Sequence, residues 1–401
     1  MITLLVRLAA DSSRRGSTRL SQTLCAWARV CHWWVHPRGL PVMPRVAHVS
    51  HAYFSPDSYV GGGERYATDL ATAMLERARP VLLTFGRTRE SLNLKGLPVE
   101  VFPSMPAGDG RMPYPATSDF VRILQSADVI HVHQYQTRLT ALAVIVGASR
   151  GIPVFATDCG GWEMDAHERF DFDGLLAGVL GLSKYSIRQL PLSRRSAVIY
   201  GGVAAHFLVK PSTQDKDPRL VVCVARLMPH KGIDVLINAL DSDMRLECHG
   251  QPYNGDYVER LKVLAAGKQV IFHTDSDDAA LSSAYQRARV TVLASVHRDV
   301  YGRSVRIPEL LGLTLLESMA TGTPVICSDA GALPEIVEDG VTGFVVPWGD
   351  AGALRARLRQ LCDNPSLAAQ MGAAGRARVL ERYTWDKIAD RCLAAYQEFS
   401  S

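Results

Sequence analysis

Two cations and two carboxylates stand out in the second half of the chain for their spacing. In VVCVARLMPHKGIDVLINAL (221–240) an apolar, β-branched run ends at Arg226, and Lys231-Gly232 precede an apolar-periodic helix with Asp234 in its first turn. A guanidinium donates a charge-assisted fork and an ammonium acts as a point charge, so the two together suit a diphosphate. A solvated turn with routine charges would show the same spacing. In RIPELLGLTLLESMA (306–320), Glu309 and Glu317 interrupt a mostly apolar stretch. Glu309 follows Pro308 in a loop before a helix entry at Gly312 and Leu313. A carboxylate there can accept sugar hydroxyls while backbone amides receive phosphates. Thr314 to Glu317 also fits the Ser/Thr-x-x-Glu capping pattern, which would be a purely structural use of the second acid.

The first half contributes a glycine run and a pair of histidines. Gly61, Gly62 and Gly63 precede Glu64-Arg65 and a helical pattern, permitting close backbone approach at a helix N-terminus. The run is not a dinucleotide GxGxxG, which weighs against a nicotinamide oxidoreductase. His131 and His133 end the run DVIHVH on the same side of a strand, His133 nearer the tip. A core histidine is the usual occupant of such a position.

The elements that must hold these groups alternate along the chain. Candidate strands are RVAHVSH (45–51), PVLLTF (80–85), VEVFP (99–103), DVIHVH (128–133) and PVFATD (153–158). A second series follows: LVVCVAR (220–226), RLECHG (245–250), QVIFHT (269–274), VTVLAS (290–295), TPVICSD (323–329) and GFVVP (343–347). Helical patterns separate them, so the chain reads as α/β with parallel sheets buried on both faces. The polar, Pro-containing KPSTQDKDPR (210–219) lies between the two series. At 401 residues the chain exceeds the ~250–300 at which one core stops growing. The reading is therefore one domain over 43–212, a second over 213–382, and a last helix over about 383–401 that returns to the first domain. Two doubly wound sheets bind ligands at the carboxyl ends of their strands.

Residues 1–42 differ in kind. They hold six arginines and one acid, Asp11, a balance of +5 within a chain of net +4, which leaves the other 359 residues at about −1. A near-neutral body argues against a nucleic-acid binder. The basic stretch also carries Trp27, Trp33 and Trp34. It is a targeting segment, an amphipathic membrane-surface helix, or an upstream extension with the fold opening at Met43. Eight scattered cysteines, with no Cys-x-x-Cys and no zinc spacing, read as core residues of a reducing, cytoplasmic compartment, peripheral at the membrane face if 1–42 is a surface helix.

In order and spacing these pieces resemble the retaining glycosyltransferases of family 4. The segments are GGGER, ADVIHVH, Arg-x4-Lys-Gly, Glu-x7-Glu and GTPVICSDAGALPEIVEDGVTGFVVP. The resemblance covers about residues 43–400. It implies a GT-B fold, two Rossmann-like domains facing a cleft, and transfer of a hexose from a UDP- or GDP-sugar to a hydroxyl of a glycan, lipid-linked sugar or small molecule. It implies that Arg226 and Lys231 neutralise the diphosphate, that Glu309 and His133 serve the transferred sugar, and that Glu317 binds the ribose. Gly61–Gly63, Gly312 and Leu313 would line the phosphates. No cofactor or metal is expected; the Asp-x-Asp at 171–173 falls in the individual acceptor region 158–174, where Asp158 and Trp162 are candidate acceptor contacts. In YGGVAAHF (200–207), Ala204 stands where the family commonly has Asp. An epimerase or hydrolase on the same fold, or a non-catalytic scaffold, are the competing readings. If Met43 opens the fold, a chain beginning there will remain soluble and keep its nucleotide affinity by calorimetry. Loss of folding on that truncation would refute the boundary.

Overall fold

The computed structural model describes residues 39–53, 62–103, 117–135, 137–159, 173–190, 195–208 and 216–400. The chain divides into two compact units. One takes the chain up to Leu182, Leu190–Tyr200 and Trp385–Ser401; the other takes Ser183–Gln189 and Gly201–Thr384. Most of the 210–219 seam, and nearly all of residues 1–42, lie outside the described residues.

The first unit begins β1 (Arg45–Tyr53), α1 (Gly62–Ala73), β2 (Arg79–Gly86), β3 (Glu90–Leu94) and β4 (Leu97–Pro103). It continues α2 (Ser118–Ser126), β5 (Val129–His133), α3 (Arg138–Arg150), β6 (Val154–Ala156), β7 (Gly178–Gly181) and β8 (Ser196–Val198). Their order is β3-β4-β2-β1-β5-β6-β7-β8. All pairs are parallel except β3–β4, a hairpin closed by Lys95 (φ 51) and Gly96 (φ 95). Two positive-φ residues are what a tight primed turn requires. The sequence reading finds β4 but not β3, whose ESLNL is largely polar and only partly covered. It also omits β7 and β8, each of four residues or fewer. Helices start on side-chain caps: Thr117 accepts from the Phe120 amide and Thr137 from the Thr140 amide.

The second unit holds α4 (Lys184–Gln189), whose first amides, Lys184 and Tyr185, donate to the Glu335 carboxylate at 2.8 and 2.7 Å. It then runs β9 (Leu220–Val224), α5 (Ile233–Ala239), β10 (Arg245–His249), α6 (Gly255–Ala265), β11 (Gln269–His273), α7 (Asp278–Arg287), β12 (Val290–Leu293) and α8 (Leu313–Ala320). After these come β13 (Val325–Ser328), α9 (Leu333–Ile336), β14 (Gly343–Val346), α10 (Ala351–Asp363) and α11 (Pro365–Arg382). All six strands are parallel, in the order β11-β10-β9-β12-β13-β14. The order reverses between β9 and β12, and such a switch point opens a crevice at the carboxyl ends of the two strands. Asn254, Asp277, Asp350 and Asn364 cap α6, α7, α10 and α11. By contrast α5 and α8, which follow from the switch-point strands, begin on Gly232 and Gly312 with no side-chain cap. Ala204, the departure from the family pattern, opens a short 3-10 turn and supplies no capping bond either.

The last helix, α12 (Trp385–Phe399), belongs to the first unit. There Tyr396 reaches His131 at 2.7 Å, and Phe399 lies where a Cβ on Gly178 would be only 2.5 Å away.

Gly232 is a tight backbone position near the switch point. Its φ is +62, and a Cβ there would meet the Ala294 carbonyl at 1.9 Å. Because neither the dihedral nor the backbone oxygen can yield, Gly232→Ala will cost roughly 1–3 kcal/mol or more. A urea-unfolding midpoint within error of wild type would contradict this.

Candidate functional site

Lys231 ends a 3-10 turn, Pro229–Lys231, and Gly232 then turns the chain into α5. This delivers the ammonium to the carboxyl side of β9. Its Nζ lies 2.5 Å from Glu309 Oε1, and the two side chains are 11% and 12% exposed. Ser295, just past β12, donates to the same carboxylate oxygen at 2.9 Å. Glu309 is held by its backbone too: its carbonyl accepts from the Ala332 amide at 3.1 Å. Gly331 (φ +63) passes so close that a Cβ would fall 2.4 Å from that carbonyl.

Arg226 is exposed and lies 5.5 Å over the Tyr253 ring. His230, half-buried beside Lys231, is pushed down to about 4 by burial, then by Lys231, with Arg226 adding to the effect and Glu309 and Asp299 opposing it. Gly312 (φ +94) and Leu313 open α8 with no side-chain cap on its first amides.

Glu317 sits inside α8 and is 9% exposed. Tyr285 of α7 donates to its Oε2 at 3.0 Å, and burial followed by Glu317 raises the phenol well above its ordinary range. Because Gly312, not Thr314, is the N-cap residue, the capping-box use of Glu317 does not occur. Ser295, His230 and Tyr285 escape the sequence reading. Ser295 had a signal, as the last residue of VTVLAS, whereas Tyr285 is one aromatic in a helix pattern and carries none.

The remaining candidates belong to the first unit. His133 ends β5 and is 1% exposed, with Nε2 2.9 Å from His48 Nδ1. Asp158 follows β6 and is half-buried. Gly62 and Gly63 form the first turn of α1 rather than a loop before it. Gly61, Trp162 and most of the 171–173 Asp-x-Asp lie outside the described residues.

Two groups among the described residues have metal-ligating atoms close together, His48/His131/His133 and Glu247/His249/His273. In the first, both nitrogens of His131 are committed, to Thr157 and Tyr396, each at 2.7 Å. In the second, Arg287 takes both oxygens of Glu247, at 2.8 and 3.2 Å. Neither involves Lys231 or Glu309. No helix among the described residues is long and apolar enough to cross a membrane.

A parallel six-stranded sheet with cations and a carboxylate at its switch point, joined in one chain to a second such unit, defines a GT-B glycosyltransferase fold. Solved structures agree. Sucrose-phosphate synthase from Thermosynechococcus elongatus superposes with a TM-score of 0.67 at 21% identity, over 88% of this chain and 98% of that one. Anabaena HepE in complex with UDP and glucose gives 0.65 at 20%, over 88% and 98%. The family model described as Glycosyltransferase Family 4 matches residues 60–205, and that described as Glycosyl transferases group 1 matches 206–378. The chain belongs to glycosyltransferase family 4. Among its relatives, the GDP-mannose-dependent alpha-(1-6)-phosphatidylinositol monomannoside mannosyltransferase of Mycolicibacterium smegmatis is 35% identical over 42% of this chain and 45% of its own length. The alpha-maltose-1-phosphate synthase of the same organism is 40% identical over 47% and 50%. The matched segments thus span about half the length of these relatives.

His230 yields a pH expectation. Folded, it takes a proton only near pH 4; unfolded, it does so near 6.5. Between those values the unfolded chain binds more protons, so stability falls as pH falls. The urea midpoint will drop between about pH 7.5 and about pH 5, and by less in His230→Gln. An equal drop in both proteins would remove His230 as a cause.

Proposed function

We propose that the chain is a retaining glycosyltransferase that moves a hexose from a nucleoside-diphosphate sugar to an acceptor hydroxyl, with no metal required. The observation that carries this is the contact among Lys231, Glu309 and Ser295 at the switch point. A diphosphate arriving there competes for Lys231 and frees Glu309 to accept hydrogen bonds from sugar hydroxyls. Arg226, Lys231 and the uncapped α8 amides then stabilise the charge that develops on the leaving diphosphate, the main way such a site lowers the barrier. A single carboxylate, Glu309, serves the transferred sugar, so a glycosidase-like pair is not part of the reading. Glu317, held by Tyr285, takes the ribose hydroxyls, and His133 serves the transferred sugar.

GDP-mannose is the first donor to try, since one relative is named for it. The names of that relative, the maltose-1-phosphate synthase and sucrose-phosphate synthase each carry a phosphate besides the donor's. That supports a phosphate-bearing sugar or glycolipid as acceptor. The two acids have separable jobs. Glu309→Gln will lower turnover by about 10²–10³ without weakening nucleoside diphosphate affinity. Glu317→Gln will weaken that affinity by roughly 1.5–3 kcal/mol. Calorimetric titration with GDP and UDP, beside turnover assays, checks both. The assignment is wrong if Glu309→Gln loses nucleotide binding and Glu317→Gln keeps it.

A further inference from the structure

The edge of the second unit's sheet carries metal-ligating side chains that the sugar-transfer reading does not use. Glu247 and His249 are two residues apart on β10 and so share a face, and His249 pairs in register with His273 of β11. Strand alternation and register thus gather one carboxylate and two imidazoles at the carboxyl ends of two neighbouring strands. One ligand atom from each of the three lies within 4.8 Å of the other two. His249 Nε2 is 3.8 Å from Glu247 Oε2, and the His249 and His273 rings stack with centroids 4.5 Å apart. A tetrahedral ion with bonds of about 2.0–2.1 Å needs its ligand atoms roughly 3.3–3.4 Å apart, so modest side-chain rotations close the set.

Two further observations point to a ligand. His249 is 5% exposed, and its Nε2 is buried with no hydrogen-bond partner among the described residues. A buried polar atom without a partner is uncommon and costly, and an ion that takes its lone pair removes the deficit. The groups behind the ligands are also those a metal site uses. His249 Nδ1 lies 2.7 Å from Ser276 Oγ, which orients the ring, and Arg287 holds the two Glu247 oxygens at 2.8 and 3.2 Å. Each carboxylate oxygen has a second lone pair, so the Arg287 contacts leave Glu247 able to ligate. The Arg287 side chain is 47% exposed, and water therefore moderates its repulsion of a bound cation.

We propose that Glu247, His249 and His273 form a binding site for a zinc-like dication, which fastens the edge strand β11 to β10. Two imidazoles and one carboxylate suit such an ion, whereas magnesium and calcium take oxygen ligands. β11 is the strand that needs fastening. It ends the sheet order among the described residues, and none of its five residues is fully buried. Because the ion joins side chains of both strands, its binding free energy adds to the stability of that edge. The transfer proposed above needs no metal, and this ion takes no part in it.

The test is calorimetric titration of the chelator-treated full chain with zinc chloride, beside thermal melts. Wild type will take up one zinc that His249→Gln and His273→Gln each fail to bind. Ser276→Ala will bind it about 10- to 100-fold more weakly, as expected for a group that orients a ligand. Zinc in excess of its Kd will raise the melting temperature of wild type and leave that of His273→Gln unchanged, and magnesium will raise neither. Zinc uptake of wild-type affinity in both histidine variants overturns the proposal, as does a wild-type chain that takes up none. Binding without any rise in melting temperature refutes the fastening of β11, and an equal rise with magnesium refutes the choice of ion. If His249→Gln does not fold, His273→Gln, changed at a half-buried edge position, carries the comparison.

Discussion

The second unit is organised around an ion pair that is nearly closed off from water. Lys231 and Glu309 come from segments 78 residues apart and meet at 2.5 Å with about a tenth of each side chain exposed. Removing one partner of such a pair leaves an uncompensated charge, which costs about 3–5 kcal/mol. The same physics makes the pair responsive. A ligand carrying negative charge for Lys231 and hydroxyl donors for Glu309 can replace the contact without leaving either group unsatisfied. Ser295 donates a second hydrogen bond to the same carboxylate oxygen.

Backbone conformation, more than side-chain packing, sets this contact. Lys231 is aimed by the left-handed turn at Gly232, whose α-carbon faces the Ala294 carbonyl. Glu309 is aimed by Gly331, which approaches its carbonyl from the far side, and by the Ala332 amide. Gly312 opens α8 with a third positive φ. The crevice where a chain reverses strand order is thus built from glycines that allow backbone to meet backbone. Leaving the helix entry at Gly312 without a side-chain cap keeps its amides available to an anion.

In the first unit three buried imidazoles share one face of β1 and β5. His131 is fixed by α12 through Tyr396, so the end of the chain takes part in the core beneath β5. His133 lies beside two buried imidazoles, its ring centroid 5.2 Å from that of His48 and 4.3 Å from that of His131.

Eleven strands were legible in the sequence because they are apolar, β-branched and bounded by turns, and a buried parallel strand leaves that mark whatever its neighbours. The edge strand β3 left none, being half-covered and held by the Lys95-Gly96 turn rather than by its own composition. The residue types at Arg226, Lys231, Glu309 and Glu317 were legible as well, since charge inside an apolar stretch needs a reason. The sequence alone left open whether Glu317 capped its helix. The fold decided it, by placing Gly312 at the N-cap and bringing Tyr285 across from another helix. His48, Ser295 and Tyr285 acquire partners 85, 14 and 32 residues away. Pattern reports what a residue does to its own segment. Which groups share a proton or a carboxylate depends on strand order and register, and those exist only once the sheets have formed.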